Sequence, residues 1–182
     1  MRGNKKSVLQ QNASSGGRPA LERGVGLIEV LMALIVLSIG FLVSANMQLR
    51  GMRSNQETYN QSQAMMLANE IMDRMRNNRA GVLDGYYNGM VTADVDLPAC
   101  ASAGCDAAGL AQLDRYEWSS YLFDVRGNDD FVPMLPAASD DTAATGTVSA
   151  PDANGVYTVT IQWASSENRV DVVKSLPLKF IP

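Results

Sequence analysis

The sequence predicts an α+β fold in which one long N-terminal helix packs its distal half on a small antiparallel sheet. Three observations predict it. From Val25 to Ala45 the chain is apolar except for Glu29, Ser38 and Ser44. No proline interrupts it between Val25 and Asn78. Near the C-terminus, "GVYTVTIQWA" alternates Tyr157, Val159, Ile161 and Trp163 with Thr158, Thr160 and Gln162, the period of a half-buried strand.

Length and charge frame what the elements can do. The 182 residues fit one ordinary domain plus an attached segment. Charge is divided unevenly along them. The first 24 residues carry five basic groups (Arg2, Lys5, Lys6, Arg18, Arg23) against Glu22, a net +4, and the remainder carries a net −8. A basic head before an apolar run marks the cytoplasmic side of a membrane segment. The acidic remainder has no basic patch and argues against nucleic acid as a partner. The absence of histidine removes the commonest general base and metal ligand. With no G-x-S-x-G and no phosphate loop, the chain shows no catalytic constellation. No enzyme activity, cofactor or small-molecule substrate is expected. The pairs Asp129–Asp130 and Asp140–Asp141 sit in loop-like sequence without the further ligands of an EF-hand. They read as solvated loops, and no metal site is expected.

The apolar run comes first in order. As a helix it spans about 30 Å, the thickness of a bilayer core. A cleaved secretory signal is one reading, with "VSA" at Val43–Ala45 as the cut before Asn46. Against it, the apolar region is long for a signal and contains a carboxylate. A plain single-pass anchor would make Glu29 an accident costing ~2.5–3.5 kcal/mol at bilayer depth, less near the end. A buried helix of a soluble protein conflicts with the basic head.

A fourth reading accounts for Glu29 and the head together. "RG" followed by "VGLIEVLMALIVLSIGFL" resembles the class III signal of type IV prepilins. The resemblance implies that a prepilin peptidase cuts on the cytoplasmic side after Gly24. Val25 then becomes the N-methylated first residue, and Glu29 is the fifth residue after the cut. Two positions depart from the usual pattern: Val25 stands where Phe or Met is common, and Gly26 where Thr or Ser is. The physics of Glu29 follows. Cleavage creates an α-amine that is positive at neutral pH. A carboxylate one helical turn away, or on a neighbouring subunit, offsets much of the cost of desolvating it. The resemblance implies that this pair sets the register of an incoming subunit during assembly.

The helix continues beyond the membrane. Residues 50–63 are polar but helix-compatible. In "AMMLANEIMDRMRNNR", Ala64, Leu67, Ala68, Ile71, Met72 and Met75 form one helical stripe, the mark of a core face. Glu70 and Arg74 form an i, i+4 pair expected on the opposite face. The helix should end between Asn77 and Gly81. A continuous helix from Val25 would run about 80 Å, too long for the core of one small domain. Its first half must therefore be covered by lipid or by partner helices.

At this end of the helix the resemblance narrows. "SQAMMLANEIMDRMRNNRAGVLDGYYN" resembles the minor pilins of the type IV pilus modification protein PilV family, with Arg74, Met75, Arg76, Asn78 and Tyr86 in the corresponding places. The later "NGVYTVTIQWA" is similar to that family's sheet hairpin. The resemblance implies the pilin fold and a role in priming pilus assembly with the major pilin and other minor pilins. It further implies twitching motility and adhesion, and a path from the inner membrane, with a periplasmic domain, into the pilus.

The domain should begin with a connecting loop over 82–104. A short helix follows from Asp106, its N-cap, to Leu122, with Leu110, Leu113, Trp118, Tyr121 and Leu122 as its face. Residues 126–154 read as loop, with "TGTVSA" as a short edge strand. "SSEN" is the turn after the first long strand, and "RVDVVKSLPLKFIP" returns with Leu176, Leu178 and Phe180 on one face. Pro177 marks that strand as an edge. Cys100 and Cys105 should pair as a disulfide in an oxidising compartment. A metal site would need further ligands, and a redox pair usually has two intervening residues. The expected organisation is a cleaved leader (1–24), a transmembrane and assembly helix (25–45), its periplasmic half (46–80) and an α+β domain (81–182). Two other functions share parts of this pattern: a type II secretion minor pseudopilin, and a secreted binding domain cut after Ala45.

Overall fold

The computed structural model describes residues 26–137, 143–167 and 170–182. The leader, the Gly24–Val25 bond and Asp140–Asp141 lie outside them. In chain order the elements are α1 (Leu27–Asn77), α2 (Arg79–Leu83), a 3-10 turn (Ala99–Ser102), α3 (Ala107–Ser119), β1 (Thr145–Val148), β2 (Tyr157–Glu167) and β3 (Val170–Phe180). The chain divides into two compact units between Met47 and Gln48, inside α1.

In the first unit every described residue is exposed. Ser38 donates its hydroxyl to the Leu34 carbonyl at 2.7 Å, so its polar group is satisfied within the helix. That internal bond is what makes a serine tolerable in an apolar span. A Cβ at Gly40 would meet nothing within 4 Å, so packing inside this chain does not require glycine there.

The second unit holds the core. The α1 stripe of Ala64, Leu67, Ala68, Ile71, Met72 and Met75 is buried as its spacing predicts. Each of the larger side chains contributes about 1.5–3 kcal/mol on burial. Asn60 is buried too, accepting a hydrogen bond from Gln56 Nε2 at 3.1 Å. The helix ends at Asn77 because Asn78 leaves helical geometry (φ −107°, ψ 58°) and caps α2, its Oδ1 accepting from the Gly81 amide at 3.1 Å. Gly81 has no room for a Cβ, which would lie 2.5 Å from Asn78 Nδ2 and 3.0 Å from the Ala107 carbonyl.

α3 starts as expected. Asp106 caps it, accepting from the Gly109 amide at 2.7 Å. Its end and its face differ from expectation. The helix stops at Ser119, whose carbonyl takes the amides of Leu122 and Phe123, both at 2.9 Å. Leu110 and Leu113 are only half-buried, as is Tyr121, and the buried line runs through Ala111, Asp114, Trp118 and Leu122. The reason is polar: the charge of Asp114 has partners inside the domain, so the helix turns that side inward.

The sheet is antiparallel in the order β1-β2-β3. Tyr157 faces Phe180, Val159 faces Leu178 and Ile161 faces Leu176, which places the expected residues on the core side. Ser165–Glu167 are strand rather than turn, because the ladder continues to the pair Glu167–Val170. Ser165 also anchors this end to α1 by donating to Glu57 Oε2 at 2.5 Å. β1 is flanked on its outer side by residues 90–92: Thr92 N–H donates to the Gly146 carbonyl at 2.9 Å and Val148 N–H to the Met90 carbonyl at 2.8 Å. β3 is the other edge. The backbone of Thr158 faces β1, since its carbonyl accepts from Ser149 N–H at 2.9 Å. Thr160 shares that parity, so its partner Pro177 directs its nitrogen away from β2 and costs the ladder no bond.

Candidate functional site

Two regions bear on function, one in each unit. In the first, Glu29 sits in the first turn of α1, its amide donating to the Gly26 carbonyl at 2.8 Å. Its carboxylate is exposed and makes no hydrogen bond or ion pair among the described residues. Large apolar side chains surround it on the helix: Leu27, Ile28, Val30, Leu31 and Met32 are each about half exposed or more. α1 is long and apolar enough to cross a membrane. A helix that is apolar all round is covered by lipid or by other helices. Placement near the helix N-terminus favours a carboxylate.

In the second unit, a buried polar cluster ties the end of α1 to α3. Tyr87 is fully buried and donates its hydroxyl to Asp114 Oδ2. Asn78 Nδ2 donates to the Tyr87 hydroxyl at 3.0 Å and to the Ala107 carbonyl at 2.8 Å. Arg74 reaches Asp114 Oδ1 at 3.3 Å and Glu70 Oε1 at 2.8 and 3.0 Å. Tyr121 donates to the same Glu70 oxygen at 3.3 Å. The Glu70–Arg74 pair thus leads into the core, rather than lying on the solvent face that its spacing alone predicts. Burial, then donation to Asp114, pushes the Tyr87 hydroxyl far above its ordinary value. Burial lowers the Arg74 pKa, but Glu70 and Asp114 outweigh it and raise it overall.

Trp118 locks the same two helices to the sheet. It is fully buried and donates Nε1 to the Leu67 carbonyl of α1 at 3.0 Å. Its ring lies on Gly146 of β1, where a Cβ would approach Cζ2 and Cη2 to 2.5 and 2.6 Å. Beside this core an open groove of about 1290 Å³ runs between α1 residues such as Arg53, Asn60 and Met66 and the segment Phe131–Met134. Cys100 and Cys105 are bonded to each other just before α3. Asp129 and Asp130 are exposed, and among the described residues no group of three His, Cys, Asp or Glu side chains could hold a metal.

Residues 46–116 match the family model of Tt1218-like proteins, described as type IV pilin Tt1218. That match supports a type IV pilin. It spans the distal half of α1, the Asn78–Tyr87–Asp114 cluster, the disulfide and most of α3, which is less than half of the chain. The fold agrees with a pilin, an α+β arrangement of one long N-terminal helix and a three-stranded antiparallel sheet. Pilin families are structural, and the exposed apolar helix is consistent with membrane anchoring and with packing among other pilins in a pilus. No curated protein and no solved structure matches the chain.

Sequence reasoning brought Glu29 and the cysteines forward but missed the polar cluster and the Trp118 seat. Asp114 lies three residues after Ala111 and four before Trp118, which places it on the helix face that is buried. An apolar count passes over a charged residue at that position. Likewise Tyr86, singled out by the PilV-like segment, is half exposed, and its neighbour Tyr87 enters the core.

Proposed function

We propose that this chain is a minor pilin of the type IV pilus, similar to the PilV family, that helps to prime pilus assembly and so serves twitching motility and adhesion. The observation that carries the reading is the contrast within α1. Residues 26–56 bury nothing, whereas the later part is the core helix of a domain that matches a type IV pilin. Such a helix needs a partner for its first half, and a filament of like helices supplies one. On this reading the basic leader stays in the cytoplasm and the domain enters the periplasm. The prepilin peptidase cuts after Gly24, and Val25 is N-methylated. The apolar helix then leaves the inner membrane for a bundle of major and minor pilins. That transfer is close to neutral in hydrophobic terms, since lipid and helix surfaces are both apolar. Direction and register must come from elsewhere, and the pairing of Glu29 with a Val25 amine provides them. The chain acts through assembly and not as an enzyme.

Mass spectrometry of the mature N-terminus tests the reading. A chain that begins at methylated Val25 is expected. One that begins at Asn46 would instead identify a secreted domain and remove the proposal. Deletion should reduce surface pili; intact pili with lost protein secretion would point to a type II pseudopilin. Glu29→Ala should leave cleavage intact and lower recovery of the protein in sheared pili, whereas unchanged incorporation would deny Glu29 its role.

A further inference from the structure

We propose that the Cys100–Cys105 disulfide is a redox-operated latch on the seam between α3 and the end of α1, and not a staple of the whole domain. The bond closes a short loop whose residues 101–104 are exposed, so an external thiol can reach it. It lies directly on the first turn of α3. A Cβ at Gly109 would come within 2.8 Å of Cys100 Sγ, 3.1 Å of Asp106 Oδ1 and 3.3 Å of Cys105 Cβ, so the disulfide and the cap together occupy the space that a side chain there would fill. Cys105 is followed at once by Asp106, whose carboxylate holds the Gly109 amide and whose carbonyl takes the Leu110 amide at 2.8 Å. The next carbonyl, that of Ala107, is the acceptor for Asn78 Nδ2 at 2.8 Å. Asn78 in turn holds the Gly81 amide and so forms the stop between α1 and α2. A continuous chain of contacts therefore runs from the disulfide to Asn78, the residue that follows α1 and caps α2. The core beyond it, built on Trp118, Ile71 and the sheet, is buried without any contribution from the cysteines.

The switching step is thiol–disulfide exchange with a dithiol. One thiolate of the dithiol attacks a Cys sulfur, the Cys100–Cys105 bond breaks, and the departing cysteine takes a proton. The second thiol of the reagent then attacks the mixed disulfide. The protein ends with two thiols, reduced by two electrons, and the reagent ends as a disulfide. Two unbonded sulfurs need more room than a bonded pair, and the tight fit over Gly109 leaves none on the helix side. The first turn of α3 must give way, and its hold on Asn78 loosens with it.

Hydrogen exchange of the full chain in detergent, with and without dithiothreitol, tests this. The amides of Gly109, Leu110 and Gly81 should exchange about tenfold faster or more after reduction, with Ile71, Val159 and Ile161 unchanged. Unchanged exchange at Gly109 and Leu110 would overturn the proposal. So would equal acceleration in Val159 and Ile161, which is the behaviour of a global staple. Cys100→Ser with Cys105→Ser should reproduce the reduced pattern, and failure of that variant to fold would also count against a local latch. Gly109→Ala should speed exchange at the same amides without any reductant. The same slow exchange as in the oxidised parent would show that the contact carries nothing.

Discussion

Asp114 offers the sharpest test of what holds the pilin-like domain together. It is 4 % exposed and serves Tyr87 and Arg74 at once. Asp114→Ala leaves the fully buried Tyr87 hydroxyl with no acceptor, a cost of about 1–3 kcal/mol. Arg74 loses one of two carboxylates but keeps Glu70, and its side chain is 27 % exposed, so this part is worth only ~0.5–1 kcal/mol. The sum is about 1.5–4 kcal/mol, or a fall in melting temperature of about 10 °C. Tyr87→Phe removes the hydroxyl itself. Asp114 then keeps Arg74, and Asn78 keeps Ala107, so the main loss is the hydrogen bond to the Asp114 carboxylate, about 1.5–3 kcal/mol, with the bond from Asn78 Nδ2 lost beside it. Combining the two substitutions removes the orphaned hydroxyl that makes Asp114→Ala costly. The double variant should therefore be less destabilised than the sum of the singles by about 1–2 kcal/mol. Thermal unfolding of the detergent-solubilised chain, followed by the fluorescence of Trp118 and Trp163, measures all four corners. Additivity within about 0.5 kcal/mol would refute the view that these residues act as one unit.

The same cluster predicts a response to alkali. The folded chain holds the Tyr87 proton at pH values where the unfolded chain has lost it. Its stabilisation is complete below about pH 10 and is lost as the pH climbs beyond, by up to about 1.4 kcal/mol per pH unit. Tyr87→Phe should flatten the alkaline decline by that slope in melts between pH 9 and about 11, and equal slopes would speak against it. Gly146→Ala would drive a methyl into the Trp118 ring and should destabilise by about 1–3 kcal/mol, with a shifted Trp emission; an unshifted spectrum and melt would deny the close seat. Asn78→Ala strips the α1–α2 stop of its cap and should cost about 1–2 kcal/mol. If helical circular dichroism and stability both stay at the parent values, the cap does not terminate α1.

Local pattern was enough for much of the chain. The stripe from Ala64 to Met75 announced a buried helix face, because one face of a 3.6-residue repeat was apolar. The alternation from Tyr157 to Trp163 announced a strand with one face inward. Asp106 announced the start of α3, and Pro177 announced an edge strand, since a residue without an amide cannot serve a central ladder. Glu29 stood out because a carboxylate in an apolar run is costly at bilayer depth. These are short-range matters of spacing and side-chain chemistry, so they are visible along a line of letters. Other decisions belonged to tertiary structure alone. Which side of α3 faces inward depended on Tyr87 and Arg74, 27 and 40 residues before Asp114, being brought to its carboxylate. The need for glycine at position 146 depended on Trp118 arriving over it, and the strand character of Ser165 depended on β3 pairing it with Val172. A polar or small residue at such places carries no periodic signal. Its meaning lies in a partner distant in sequence, and only folding supplies that partner.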